Sequence, residues 1–264
     1  MLTNVRSDRV RSVRSLSRRS VRERTGRFVV DGPQGVREAI RYAGSHVDDL
    51  YVTAAALERH ADLVDAARDA GIRVHETDDA VLEAMSDTES PQGLLAVVAA
   101  APVTLDDVLA SGPRLLVLLS NVRDPGNAGT VIRGADAFGA DAVLVTEGSV
   151  DVLAPKVVRS TVGSIFHLPV VAGLDVLATL DALAAAGIRT LAADGTGETL
   201  LPDVDTSTPH AWVMGNEAWG LPPEIRDRCT DVVRVPISER VESLNLAMAA
   251  TVCLAASSGA THRP

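Results

Sequence analysis

Ser120-Asn121-Val122-Arg123-Asp124-Pro125-Gly126-Asn127-Ala128-Gly129-Thr130-Val131-Ile132-Arg133 is a polar stretch set between two apolar runs, Leu115–Leu119 and Ala142–Val145. Each run has the length and branching of a buried strand. Residues 130–138 between them read as a helix, so the order is strand, polar loop, helix, strand. That is a βαβ unit with its functional loop at the carboxyl end of the first strand. Pro125 and Gly126 break the regular backbone, and Asn127, Gly129 and Thr130 open the helix where free amides attract anions. Arg133 follows Thr130 by about one turn, which lets its guanidinium return to that end.

Outward from this loop the composition narrows the possibilities. The 264 residues are 46% hydrophobic but only 3% aromatic, so any core is built from Val, Leu, Ile and Ala. No apolar run reaches the ~20 residues of a membrane span, and no membrane partner is expected. The net charge of −10 is uneven. Residues 1–27 carry nine arginines against Asp8 and Glu23, a basic arm on an acidic body, as suits nucleic acid. Cys229 and Cys253 have no partner at metal-ligand spacing and the six histidines are scattered, so neither a disulfide scaffold nor a metal is expected, and the chain reads as reduced and cytoplasmic.

In chain order, residues 1–27 form the arm, whose Val10, Val13 and Leu16 recur at helical spacing; an amphipathic helix docked on the body or ordered by RNA is favoured over a solvated tail. Residues 28–99 alternate strand and helix in a compact α/β unit, with a helix expected over 57–71 and a turn at Ser90-Pro91-Gln92-Gly93 before the last strand. Residues 100–113, bracketed by Pro102 and Pro113, read as a connector. Residues 114–264 form a second unit, with strands expected at 166–171 and 188–193. Lys156, the single lysine, and Arg159 lie one turn apart and could bind phosphate. The turn Asp194-Gly195-Thr196-Gly197-Glu198 is too short for a dinucleotide fingerprint, which disfavours a nucleotide-dependent oxidoreductase. Two further loops stand out: Met214-Gly215-Asn216-Glu217 through Gly220, and Ile237 through Ser243-Leu244-Asn245, which feeds a helix of small residues.

Taken together, residues 121–133, 214–217 and 237–245 resemble the three ordered motifs of the SpoU (TrmH-type) RNA ribose 2′-O-methyltransferases of the SPOUT superfamily. Residues 28–99 are similar to that family's substrate-binding domain, which is L30e-like. The second motif departs from the usual Gly-Ser-Glu by carrying Asn216 for the serine. The resemblance implies an α/β fold with a parallel sheet and a trefoil knot, S-adenosylmethionine as cofactor, a homodimer, and RNA as substrate. Ribosomal RNA, 23S above all, is the favoured target; the alternatives are transfer RNA, or a non-catalytic RNA-binding role in ribosome assembly on the same fold. The resemblance also assigns residues. Asn127, Arg133, Glu217, Ser243 and Asn245 are implied as the catalytic set. Ala193, Met214, Gly215, Asn216, Gly220, Ile237, Ser243, Leu244 and Asn245 are implied around the cofactor. Arg18, Arg19, Arg22, Arg24, Arg27, Lys156 and Arg159 are the expected RNA contacts. Arg133 has been cast as the base in this family; a guanidinium stays protonated, so a phosphate clamp that also steadies the developing alkoxide is the expectation here.

Overall fold

The computed structural model describes residues 1–261. In order, the elements are α1 (Asp8–Ser15), α2 (Arg19–Thr25), β1 (Arg27–Asp31), α3 (Pro33–Ala43), β2 (Val47–Thr53), α4 (Ala54–Arg59), α5 (Ala61–Asp69), β3 (Arg73–Thr77), α6 (Asp79–Met85), β4 (Leu94–Ala99) and α7 (Leu105–Ala110). There follow β5 (Leu115–Leu119), α8 (Pro125–Ala137), β6 (Ala142–Thr146), α9 (Pro155–Thr161), β7 (Val170–Leu174), α10 (Val176–Ala185), β8 (Arg189–Ala193), β9 (Thr199–Leu200), β10 (His210–Met214), α11 (Pro223–Arg226), β11 (Asp231–Arg234) and α12 (Leu246–Thr261). They divide into two compact units, residues 1–101 with 151–167, and 102–150 with 168–261.

The first unit is a four-stranded sheet in the order β1-β4-β2-β3, antiparallel except for the β2–β3 pair. Its faces follow from strand alternation. Leu94, Ala96 and Val98 of β4 pack in one cluster with residues of α3, α5 and α9, whereas Leu95 and Val97 pack in another with α1 and α6. Val10, Val13 and Leu16 are buried in that second cluster, so the arm is a docked amphipathic helix and a structural part of this unit.

Three boundaries differ from the sequence expectation. The helix expected over 57–71 is two helices, Ala54–Arg59 and Ala61–Asp69, broken at His60. The connector 100–113 contains α7, closed by a capping box between Thr104 and Asp107, and its Val108 sits in the core of the second unit. Residues 151–167, expected in the second unit, pack with the first: Val158 lies in its core and Asp151 receives the buried Arg22 guanidinium at 2.5 Å.

The second unit is a parallel seven-stranded sheet in the order β7-β6-β5-β10-β8-β11-β9. The strand expected at 166–171 begins instead at Val170, after a 3-10 turn at Ser164–Phe166. Leu116, Leu118, Leu144 and Val213 face a cluster that includes residues of α7, α10 and α11. On the other side α12 packs against α8 and β10. A buried polar knot holds α12 there: the Ser257 hydroxyl lies 2.8 Å from His210 Nε2 and accepts from Trp212 Nε1 at 2.9 Å. The Thr208 carbonyl can only accept, so His210 Nδ1, 2.7 Å away, carries the ring proton. Burial lowers the His210 pKa, consistent with a neutral ring.

Sheet order decides where a site forms. From β5 the chain steps to β6 and β7 on one side, then returns to build β8 to β11 on the other. Loops after β5 and β10 therefore diverge from a switch point, where open parallel sheets present their clefts.

Candidate active site

Helix α8 begins five residues earlier than the sequence pattern suggests. Asp124 caps it, its Oδ1 accepting from Asn127 N at 2.7 Å, and Pro125 takes the first helical position, where a missing N–H costs nothing. Asn127 therefore lies in the first turn of the helix and Arg133 two turns further on.

The loop after β5 is tied to the loop after β10. Ser120 N donates to the Met214 carbonyl at 2.8 Å, and the Asn216 Nδ2 amide donates to the Asn121 carbonyl at 2.7 Å. Asn216 Oδ1 accepts from Ala218 N at 2.8 Å, and its backbone exchanges two 2.9 Å hydrogen bonds with Gly220. A side chain at Gly215 has no room: its Cβ would lie 2.4 Å from the Gly220 carbonyl carbon and 2.6 Å from Leu221 N.

Glu217 projects from this closed loop and gathers three donors. Its carboxylate accepts from Arg123 N at 3.2 Å, Asp124 N at 3.0 Å and Asn127 Nδ2 at 3.3 Å. Partial burial would raise its pKa, but these bonds and one from its own backbone outweigh that and lower it, so the carboxylate is ionised at neutral pH. The other end of the Asn127 amide reaches the third loop, with Asn127 Oδ1 accepting from Asn245 Nδ2 at 3.0 Å. Asn245 in turn starts α12, its Oδ1 accepting from Ala247 N at 2.9 Å. Three loops far apart in sequence are thus joined by the chain Glu217–Asn127–Asn245.

The expected site residues separate into groups. Asn127, Glu217 and Asn245 are brought together. Ser243 is exposed beside Asn245 on the same loop, Leu244 is half-buried, and Ile237 is exposed although apolar. Ala193, half-buried, ends β8 beside Met214 of β10, and Met214 is buried with its carbonyl held by Ser120. Arg133 is exposed on α8 and joins none of the hydrogen bonds linking Asn127, Glu217 and Asn245. The Asn216 side chain is buried and fastens two loops together, so it shapes the site from within. The turn at Asp194 is likewise internal, with Thr196 N donating to Asp194 Oδ1 at 2.8 Å before the chain enters edge strand β9.

Among the expected RNA contacts, Arg22 departs from the expectation. It is 5% exposed and donates to the Leu16 and Ser17 carbonyls as well as to Asp151, so its charge is consumed in docking the arm. Arg19 and Arg27 pair with Glu23 and Asp48 at the surface. Arg18, Arg24 and Lys156 are exposed, and Arg159 is half-buried.

Sequence reasoning passed over Trp219. It is 54% exposed, and the Arg123 guanidinium carbon lies 5.1 Å from its ring centroid, a cation–π contact at the edge of the polar cluster. Its signal was available: one of only two tryptophans, inside a glycine-bounded loop.

Residues 114–255 match the model of the SpoU rRNA methylase family, and residues 7–96 match the MRM3-like substrate binding domain. The chain belongs to the SpoU rRNA methylase family. As a member it is an S-adenosylmethionine-dependent RNA methyltransferase. It is 36% identical over 231 residues to a protein of Mycolicibacterium paratuberculosis described as an uncharacterized tRNA/rRNA methyltransferase, covering 85% of this chain and 74% of that one. Among solved structures it is similar to an S-adenosylmethionine-bound rRNA methyltransferase from Sinorhizobium meliloti, with a TM-score of 0.85 and 26% identity over 97% of this chain and 96% of that one. An RNA 2′-O ribose methyltransferase structure matches with a TM-score of 0.83 and 27% identity over 98% of each chain. Among the described residues no helix is long and apolar enough to cross a membrane, and no group of three or more His, Cys, Asp or Glu side chains could hold a metal.

Proposed function

We propose that the protein transfers a methyl group to a ribose 2′-hydroxyl of ribosomal RNA. The observation that carries this reading is the Glu217–Asn127–Asn245 chain, which holds three loops around one point at the carboxyl end of a parallel sheet. The residues fit the cofactor: exposed Ile237 and half-buried Leu244 offer apolar surface to an adenine ring, and the ionised Glu217 favours a cation nearby. Bound S-adenosylmethionine supplies a methyl group already activated on a sulfonium.

The chain's own part is alignment. Asn127, fixed at both ends of its amide, and Ser243 border the acceptor hydroxyl. Arg133, exposed on α8, clamps a substrate phosphate and offsets charge developing on the ribose oxygen. Trp219, braced on one face by Arg123, stacks on a base next to the acceptor. The acceptor proton leaves to solvent, since a guanidinium cannot accept it.

The same reading includes a homodimer and the knot. Met248 and Val252, one turn apart on α12, are 60% and 40% exposed, an apolar strip suited to a second copy. Ala247, Ala250 and Cys253 are buried on the same helix, small side chains of the kind a closely threaded segment needs.

The test is methyl transfer from radiolabelled S-adenosylmethionine to deproteinised 23S, 16S and transfer RNA. Labelled positions are then scored for the resistance to alkaline cleavage that a blocked 2′-hydroxyl confers. Label on a base, or on transfer RNA alone, refutes the proposal.

A further inference from the structure

Two stretches that the active site does not use, the Ser90–Gly93 turn and Arg159, meet in the first unit. They line a cavity of about 270 Å³ together with Asp31, Gln34 and Val162. That is slightly below the ~300 Å³ at which pockets for whole small molecules begin, and suits a single base with its sugar.

Its walls are unusual in three respects. Arg159 Nη1 is buried without a hydrogen-bond partner, and Nη2 lies 3.8 Å from an exposed Asp87, too far for a hydrogen bond. A charged donor left in this state is costly, and an anionic oxygen relieves it. Val162 has φ 54°, a left-handed conformation that is strained for a β-branched residue, yet its side chain remains 39% exposed at the cavity. Gly32 has φ 92°, and a Cβ there would lie 3.2 Å from Gln92 Oε1, so the glycine lets the Gln92 amide settle against the backbone.

The chemistry of these walls is that of an unstacked nucleotide. The amides of Gln92 and Gln34 each offer donor and acceptor, as a base edge requires, and Gln34 spends one donor on Glu38 at 2.7 Å. Val162 supplies an apolar face. A second hollow of about 240 Å³ shares Asp31 and Arg159 and adds Arg14 and Ser17, continuing the groove with a second cation. Burial raises the pKa of Asp31, which also accepts from the Ser86 hydroxyl, so this carboxyl opposes a neighbouring phosphate less than a free one would.

We propose that this cavity is a nucleotide pocket, taking one unstacked base of single-stranded RNA against Gln92, Gln34 and Val162, with its phosphate on Arg159. The proposal rests on RNA being the substrate and adds a contact site outside the methyl-transfer centre.

The experiment uses the full chain and a fluorescein-labelled oligouridylate or oligoadenylate decamer, read by anisotropy. Arg159→Ala and Gln92→Ala each weaken binding at least about tenfold, and Arg159→Lys recovers part of the loss. S-adenosylmethionine affinity by calorimetry and the melting temperature of Gln92→Ala stay at wild-type values. Nucleoside monophosphate competes with the decamer, whereas inorganic phosphate at the same concentration does not. Unchanged RNA affinity in both alanine variants overturns the pocket, and equal competition by inorganic phosphate reduces it to a general anion site, which also overturns it. If the decamer binds through Arg159 but no RNA is methylated, the pocket stands and the methyl-transfer reading fails.

Discussion

Replacing Glu217 with alanine removes one acceptor from three hydrogen bonds, at 3.2, 3.0 and 3.3 Å, and so frees the loop after β5 and one end of the Asn127 amide together. Glu217 is exposed, so water takes over much of what each donor loses, and the lower range of about 0.5–1 kcal/mol per bond applies. The expected loss of stability is then about 1.5–3 kcal/mol, or roughly 3–12 °C in melting temperature. Activity falls further than stability, because Asn127 loses the bond that fixes its orientation, and a misplacement near 1 Å can cost about 100-fold. Glu217→Gln keeps one carbonyl oxygen, and its added amide donor faces backbone N–H groups, so it falls between alanine and wild type. The assay is single-turnover methyl transfer at saturating S-adenosylmethionine, well below the melting point of each variant. Wild-type transfer by Glu217→Ala would refute the reasoning, as would a loss that vanishes once the fraction folded is accounted for.

Ser257→Ala leaves His210 Nε2 and the Trp212 indole N–H buried and unpaired, at about 1–3 kcal/mol each, which a denaturant titration reads directly. Because burial lowers the folded pKa of His210 below 6.5, the unfolded chain takes up the proton first. This contribution to stability is complete above the unfolded pKa and is lost as pH falls through the folded one, and a His210→Gln variant flattens that slope. Gly215→Ala places a Cβ 2.4 Å from the Gly220 carbonyl carbon, which forces the loop apart and weakens S-adenosylmethionine binding in calorimetry more than it lowers the melting temperature. Arg133→Lys retains part of the transfer rate and Arg133→Ala retains none; equal loss in both, with unchanged RNA affinity, excludes the phosphate clamp.

The sequence alone determined the strands that flank the site and the three motifs. Leu115–Leu119 is apolar at every position because a parallel strand is covered on both faces, and Leu94–Ala99 divides its residues between two clusters because successive side chains alternate. Asn127, Glu217 and Asn245 could be named because their loops resemble the ordered motifs of the SpoU family, and Val10, Val13 and Leu16 marked a buried helix face by their period. What only the tertiary structure decided involves partners distant in the chain. Arg22 looks like a free cation until Asp151 and the Leu16 carbonyl surround it, and the tie between two distant loops through Asn216 exists only once Asn121 accepts its amide. Residues 151–167 read as part of the second unit and pack in the first. Period and spacing record the geometry of one element, whereas the use made of a polar side chain depends on which acceptor the fold brings within about 3 Å of it.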